Sequence, residues 1–156
     1  MRLCRRFVLL TIGLTHLPLA AAATQTLYMA AGVGPTPVLQ GRSGNRHSFG
    51  VIGYQGPKGV GLRLSGTETV SRLWLSADLT IQRRLGVLRP YGLLGGGMVV
   101  DLGESDLLLT AGAGLRAQLH GLMFVFIEAR VHGIPGSTTA TSRTILPITI
   151  GLGLGK

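Results

Sequence analysis

The stretch Glu128-Ala129-Arg130-Val131-His132-Gly133-Ile134 brings an acid, a cation and an imidazole closest together in this chain. A carboxylate and an imidazole can act as an acid–base pair if they reach hydrogen-bond distance, and Ser137 is the nearest hydroxyl downstream. On a strand, Glu128 and His132 share a face but stand about 13 Å apart by strand rise, too far for direct contact. His132 then reads as an interior or rim position. Arg63, Asp78, Arg116, Glu128 and Arg130 stand singly among Gly, Ser, Thr and apolar residues. Charges in such surroundings must be paired if buried, so these five are expected to form one ion-pair network. Glycine pairs such as Gly112/Gly114 resemble fragments of a dinucleotide fingerprint, but that motif needs a helix after its strand, and none follows. No phosphate-binding Walker loop, Cys-x-x-Cys or His-Glu-x-x-His is present. No catalytic residue, cofactor or metal is therefore assigned.

The elements that must position these residues alternate with period two, the signature of strands. Eight such segments run over Gln25–Gly34, Arg46–Tyr54, Lys58–Gly66, Ser71–Gln82, Arg89–Val100, Asp106–Leu119, Leu122–Gly133 and Thr144–Gly155. In the fourth, Leu73, Leu75, Ala77, Leu79 and Ile81 oppose Trp74, Ser76, Asp78, Thr80 and Gln82. In the seventh, Met123, Val125, Ile127, Ala129 and Val131 oppose Phe124, Phe126, Glu128, Arg130 and His132. Turns are expected at Gln55-Gly56-Pro57, Gly66-Thr67-Glu68, Leu102-Gly103-Glu104 and His120-Gly121. The run Gly95-Gly96-Gly97 is a candidate bulge that would swap the faces of the fifth strand.

Composition narrows the setting. Of 156 residues, 46% are apolar, 13% charged and 25 are glycine, with a formal charge of +9. Small soluble domains carry roughly 25–35% charge on their surfaces, and disordered chains are poor in apolar residues. Met1–Ala23 has the form of a cleaved secretory signal: Arg2, Arg5 and Arg6, then Phe7–Leu14, then Pro18 and Ala20–Ala23. Residues 24–156 form the expected single domain. They hold twelve basic and six acidic side chains and no cysteine, so no disulfide staples the exported chain.

Period two leaves open whether the apolar face is inside or outside. In a soluble lipocalin-like barrel it forms the core. In a membrane barrel it meets lipid and the other face lines the lumen. A water-facing face should be rich in Lys and Glu. Here it is Gly, Ser and Thr with single charges of both signs, which suits the narrow lumen of eight strands. Segments of about nine to eleven tilted residues span a bilayer. The expected fold is therefore an all-β, eight-stranded antiparallel up-and-down transmembrane barrel, with both termini on one side.

The segment Arg89-Pro90-Tyr91-Gly92-Leu93-Leu94-Gly95-Gly96-Gly97, the Ala111-Gly112-Ala113-Gly114 strand, Phe126-Ile127-Glu128-Ala129-Arg130 and the final Ile148–Leu154 resemble the outer-membrane β-barrel domain family, the small opacity-protein and OmpA-like barrels. The resemblance covers the chain from about Thr26 onward. It implies a bacterial outer-membrane location and insertion by the barrel-assembly machinery. The chain departs from the family by ending Leu154-Gly155-Lys156 rather than on an aromatic residue. Some barrels of similar size are lipid A deacylases with a Ser-His-Glu site. They carry a serine two residues after the histidine, where this chain has Ile134.

The expected role is a non-enzymatic structural or surface-interaction protein, acting as a monomer with a plugged lumen. Arg42, Arg46, Arg72 and Arg143 fall in connections on one side and could meet lipopolysaccharide phosphates, which guanidinium binds bidentately. Lys58, Arg83 and Arg84 fall on the opposite side. Nucleic acid is disfavoured, because the basic residues form no stripe. The alternatives are a small pore and a soluble periplasmic barrel holding an apolar ligand.

Overall fold

The computed structural model describes residues 26–37, 45–69, 72–101, 104–135 and 144–155; the expected signal segment, 1–23, lies outside them. The strands are β1 (Thr26–Thr36), β2 (Asn45–Gln55), β3 (Val60–Glu68), β4 (Leu73–Gln82), β5 (Leu88–Asp101), β6 (Glu104–Gln118), β7 (Met123–Gly133) and β8 (Ile148–Leu154). Each pairs antiparallel with the next, and β8 returns to β1 through Met29↔Leu154 to Val33↔Ile150, closing an eight-stranded barrel. Closure leaves no free sheet edge; the β1–β8 seam is the shortest, with five residue pairs.

The apolar face is the outer one. Leu75, Leu109 and Ile127 are 38%, 54% and 46% exposed, whereas Asp78 and Arg116 are 1% and 5% exposed. Leu62, Leu64, Leu79, Ile81, Leu94 and Ile150 extend this belt around the wall. A monomer in water rarely shows a contiguous apolar patch above a few hundred Å². In hydrocarbon such a belt is the favourable surface. The soluble alternative, which requires the greasy face inside, is not what the chain adopts.

Short turns join β2 to β3, β4 to β5 and β6 to β7 at the rim that also carries β1's start and β8's end. Between β4 and β5, Leu85 and Leu88 exchange backbone hydrogen bonds of 2.8 and 3.1 Å around Gly86-Val87. Gly86 takes φ +65° at the first central position, which hairpin turns of the primed type require and which L side chains resist. The β1–β2, β3–β4, β5–β6 and β7–β8 connections lie at the other rim, called here the loop rim.

Strand ends shift by one or two residues from the sequence reading, and three features differ more. Gly66-Thr67-Glu68 is strand, not turn: Thr67 is buried and lies in register between Phe49 and Trp74. The chain reverses after it, where Thr69 N–H and its hydroxyl donate to the Arg72 carbonyl at 2.9 and 3.2 Å. The last strand begins at Ile148, not Thr144, because Pro147 has no N–H to continue the ladder. Ile145 still pairs with His132 as an isolated bridge. No bulge forms at Gly95-Gly96-Gly97, which pair in unbroken register with Asp78, Ala77 and Ser76. At Gly97 a Cβ would lie 2.7 Å from the Ser76 Cα. The triple glycine therefore permits a close approach of β4 and β5.

Candidate functional site

The lumen is built from pairings of inward glycines with large side chains. Tyr28 lies opposite Gly53, Tyr91 opposite Gly114, Phe124 opposite Gly153 and Phe126 opposite Gly151. At Gly151 a Cβ would come within 2.6 Å of the Phe126 ring edge. A ring on one strand thus occupies the volume its cross-strand partner leaves empty. Eight strands enclose little more than their own side chains, so large inward residues fit only where a neighbour is absent.

At the centre lie Arg63 (β3), Asp78 (β4), Glu128 and Arg130 (β7), all at most 3% exposed. Arg63 Nε donates to Asp78 Oδ2 at 3.2 Å and its Nη1 to Glu128 Oε2 at 2.6 Å. Arg130 pairs through Nη1 with Asp78 Oδ2 at 3.4 Å and through Nε with Glu128 Oε1. Two guanidiniums and two carboxylates therefore form a neutral quartet in which each charge contacts two of opposite sign. Hydroxyls complete it: Tyr91 donates to Glu128 Oε2 at 2.7 Å, and Ser65 and Ser76 donate to Asp78 Oδ2 at 3.2 and 3.3 Å. These contacts offset the cost of taking four charges out of water, although Asp78 Oδ1, Arg63 Nη2 and Arg130 Nη2 have no hydrogen-bond partner among the described residues. Tyr91, Ser65 and Ser76 were not singled out from the sequence. The register carries the signal for Tyr91: Gly114 stands between Tyr91 and Glu128 on adjacent strands, so the phenol reaches across an empty position.

Arg116 is not a member of this network. It faces the lumen, but among the described residues it has no carboxylate partner. Its guanidinium lies 4.1 Å from the Tyr28 ring centroid and 4.3 Å from that of Phe124, a cation–π arrangement. The reason is distance along the wall: Arg116 ends β6 near the termini, and its β5 partner in register is Arg89, another cation.

Two apolar clusters flank the quartet. Tyr28, Ala30, Phe49, Val51, Phe124 and Phe126 form one; Trp74, Val99, Leu108 and Ile145 close the loop rim. Six of the seven aromatic residues from Tyr28 onward are buried inside; Tyr54 faces out. The void among Tyr28, Tyr91, Phe124, Arg63 and Arg116 measures about 10 Å³, room for about one water at most.

The acid–base candidates are held apart. Arg130 sits between Glu128 and His132 on the inward face of β7, and both Glu128 oxygens are engaged. His132 stacks on Trp74 at 5.4 Å and, among the described residues, has no hydrogen-bond partner on either ring nitrogen. His47 is held between Thr36 Oγ1 and Thr149 Oγ1, both at 2.8 Å. Ser137 lies outside the described residues, as do Arg42 and Arg143. Arg46 is exposed on β2 at the loop rim, and Arg72 stands half-buried just before β4.

No protein-family model matches the chain, and no curated protein matches it by sequence. Solved structures do match in fold. Neisserial surface protein A, NspA, is 13% identical with a TM-score of 0.66, covering 83% of this chain and 95% of that one. The N-terminal β-barrel domain of Pseudomonas aeruginosa OprF is 19% identical with a TM-score of 0.65, covering 85% and 98%. Ail, the attachment invasion locus protein of Yersinia pestis, is 18% identical with a TM-score of 0.60, covering 85% and 99%. The outer membrane enzyme PagL shares the fold at 13% identity and a TM-score of 0.55. The chain thus has the fold of the small eight-stranded outer-membrane β-barrels, and its belt of Leu, Ile and Val is the surface that meets hydrocarbon.

Proposed function

We propose that this protein is a plugged, non-enzymatic barrel of the bacterial outer membrane with a structural or surface-interaction role. The observation that supports this best is the quartet of Arg63, Asp78, Glu128 and Arg130, packed between two apolar clusters with a residual void of about 10 Å³. These side chains fill the middle of the lumen among the described residues, which favours a plug over a water-filled path. Outer-membrane barrels carry short turns on the periplasmic side, which directs the loop rim outward. Surface interaction then falls to the loop rim. Arg42, Arg46, Arg72 and Arg143 are the candidates for lipopolysaccharide phosphates, with the barrel acting as a monomer.

The same fold carries catalysis in PagL, but a fold does not specify a function. Against hydrolysis stand Ile134 at the position where the deacylases carry serine, and the occupation of Glu128 by two arginines and a tyrosine. The decisive experiment reconstitutes the refolded protein in planar bilayers and, in parallel, incubates it with purified lipid A. Neither steady conductance nor fatty-acid release is expected. Discrete conductance steps would replace this reading with a pore, and release of a fatty acid would replace it with a deacylase.

A further inference from the structure

The rim that carries the termini holds an unbalanced charge. Lys58, Arg83, Arg84 and Arg89 line an open vestibule of about 760 Å³, floored by Gln55, with Arg116 just beneath. Among the described residues, no carboxylate side chain lines the vestibule with them. Of the six in the chain, Asp78 and Glu128 are spent in the central quartet, and Glu68, Asp101, Glu104 and Asp106 belong to strand ends at the opposite rim. Arg89 and Arg116 are direct cross-strand partners on the inward face, and Arg84 adds further like-charge repulsion on Arg89. Like charges placed opposite one another on a sheet destabilise it. Two buried donors at this rim, Arg89 Nε and Gln55 Nε2, lack an acceptor among the described residues, as does Arg116 Nε deeper among the Tyr28 and Phe124 rings; Gln118 Oε1 on the vestibule wall is a buried acceptor without a donor. Gln55 is itself only 7% exposed and lines the vestibule.

Repelling cations and unmatched donors outweigh the single unmatched acceptor around this hollow, which describes a site completed by a multiply charged group rich in acceptor oxygens. We propose that this vestibule binds a phosphate-bearing anion, held by Arg84, Arg89 and Lys58 at its mouth and by Gln55 on its floor. Phosphate offers compact charge and several acceptor oxygens that match the guanidinium fork. The group could belong to a soluble phosphorylated molecule or to an anionic lipid headgroup at the rim.

The test uses the full barrel refolded in zwitterionic detergent, with inorganic pyrophosphate as the probe in calorimetric titration and thermal unfolding. Saturable one-to-one binding is expected, together with a raised unfolding midpoint. Arg89→Gln should weaken binding about tenfold or more, the usual consequence of losing one charge-assisted contact. It should also raise the midpoint without pyrophosphate, since the repulsion with Arg84 and Arg116 is relieved. A merely structural arginine would lower it. Arg46→Gln at the far rim should alter neither. Repeating the titration in phosphatidylcholine nanodiscs, with and without phosphatidylglycerol, separates the sources: competition by phosphatidylglycerol assigns the site to a headgroup, and unchanged affinity to a soluble anion. Absence of saturable binding, equal binding by Arg89→Gln, reproduction of the shift by sodium chloride at matched ionic strength, or tighter binding of citrate would each overturn the assignment.

Discussion

Glu128 is the residue on which most of the interior converges, since Arg63, Arg130 and Tyr91 all donate to it. Glu128→Gln keeps its shape but leaves two buried guanidiniums facing one carboxylate. Breaking one member of a buried ion set in this way costs about 3–5 kcal/mol, so a clear fall in the urea midpoint of the folded barrel is expected. Arg63→Gln combined with Glu128→Gln restores neutrality. The double variant should lose less than the sum of the two single losses, which a double-mutant cycle in urea measures directly. At Gly151, a methyl would overlap the Phe126 ring and the backbone of β1, whereas at Gly50, which faces outward, it meets nothing within 4 Å. Gly151→Ala should therefore destabilise by about 1–3 kcal/mol, the usual cost of overpacking, and Gly50→Ala should leave the urea midpoint nearly unchanged.

At the level of elements, the strands were legible because outward Leu, Ile and Val alternate with inward small or polar residues in β4, β6 and β7. Their ends were less so. Thr67 belongs to β3 because Phe49 and Trp74 flank it in register, which local turn chemistry cannot show. The β4–β5 hairpin hinges on Gly86 with φ +65°. Gly86→Ala forces a Cβ into a conformation that costs about 1–2 kcal/mol. A slower refolding rate into detergent, or a lower yield of the heat-modifiable folded form on gels, is expected from that change alone.

For the whole molecule, the orientation of the ribbon can be checked through Trp74, the only tryptophan. It is buried inside at 3% exposure, beside His132, Val99 and Leu108. Lipids brominated on their acyl chains should quench it poorly. Moving the fluorophore one residue onto the belt, by Trp74→Phe with Leu75→Trp, should make quenching strong. Strong quenching of the unaltered protein would place the indole in lipid and invert the barrel. A charge tests the same surface energetically: Leu79→Arg puts a guanidinium on the lipid-facing wall, where the cost reaches about 2–4 kcal/mol near the bilayer midplane. Reduced folded yield in vesicles, with smaller loss in detergent, is the expected result.

Sequence alone determined that the chain is a set of alternating strands, which residues share a face, and that few charges occupy the face rich in glycine. Those properties are local, because a strand repeats every two residues whatever it later packs against. Tertiary structure decided which charges meet. Arg63, Asp78, Glu128 and Arg130 converge because closure brings β3 and β4 across the lumen from β7, while Arg116, equally inward, ends among aromatic rings and beside Arg89. Among the described residues, it also left Lys58, Arg83, Arg84 and Arg89 at the termini rim without a carboxylate side chain beside them. Register and shear fix the distance between side chains on non-adjacent strands, and neither is written in the spacing of any single segment.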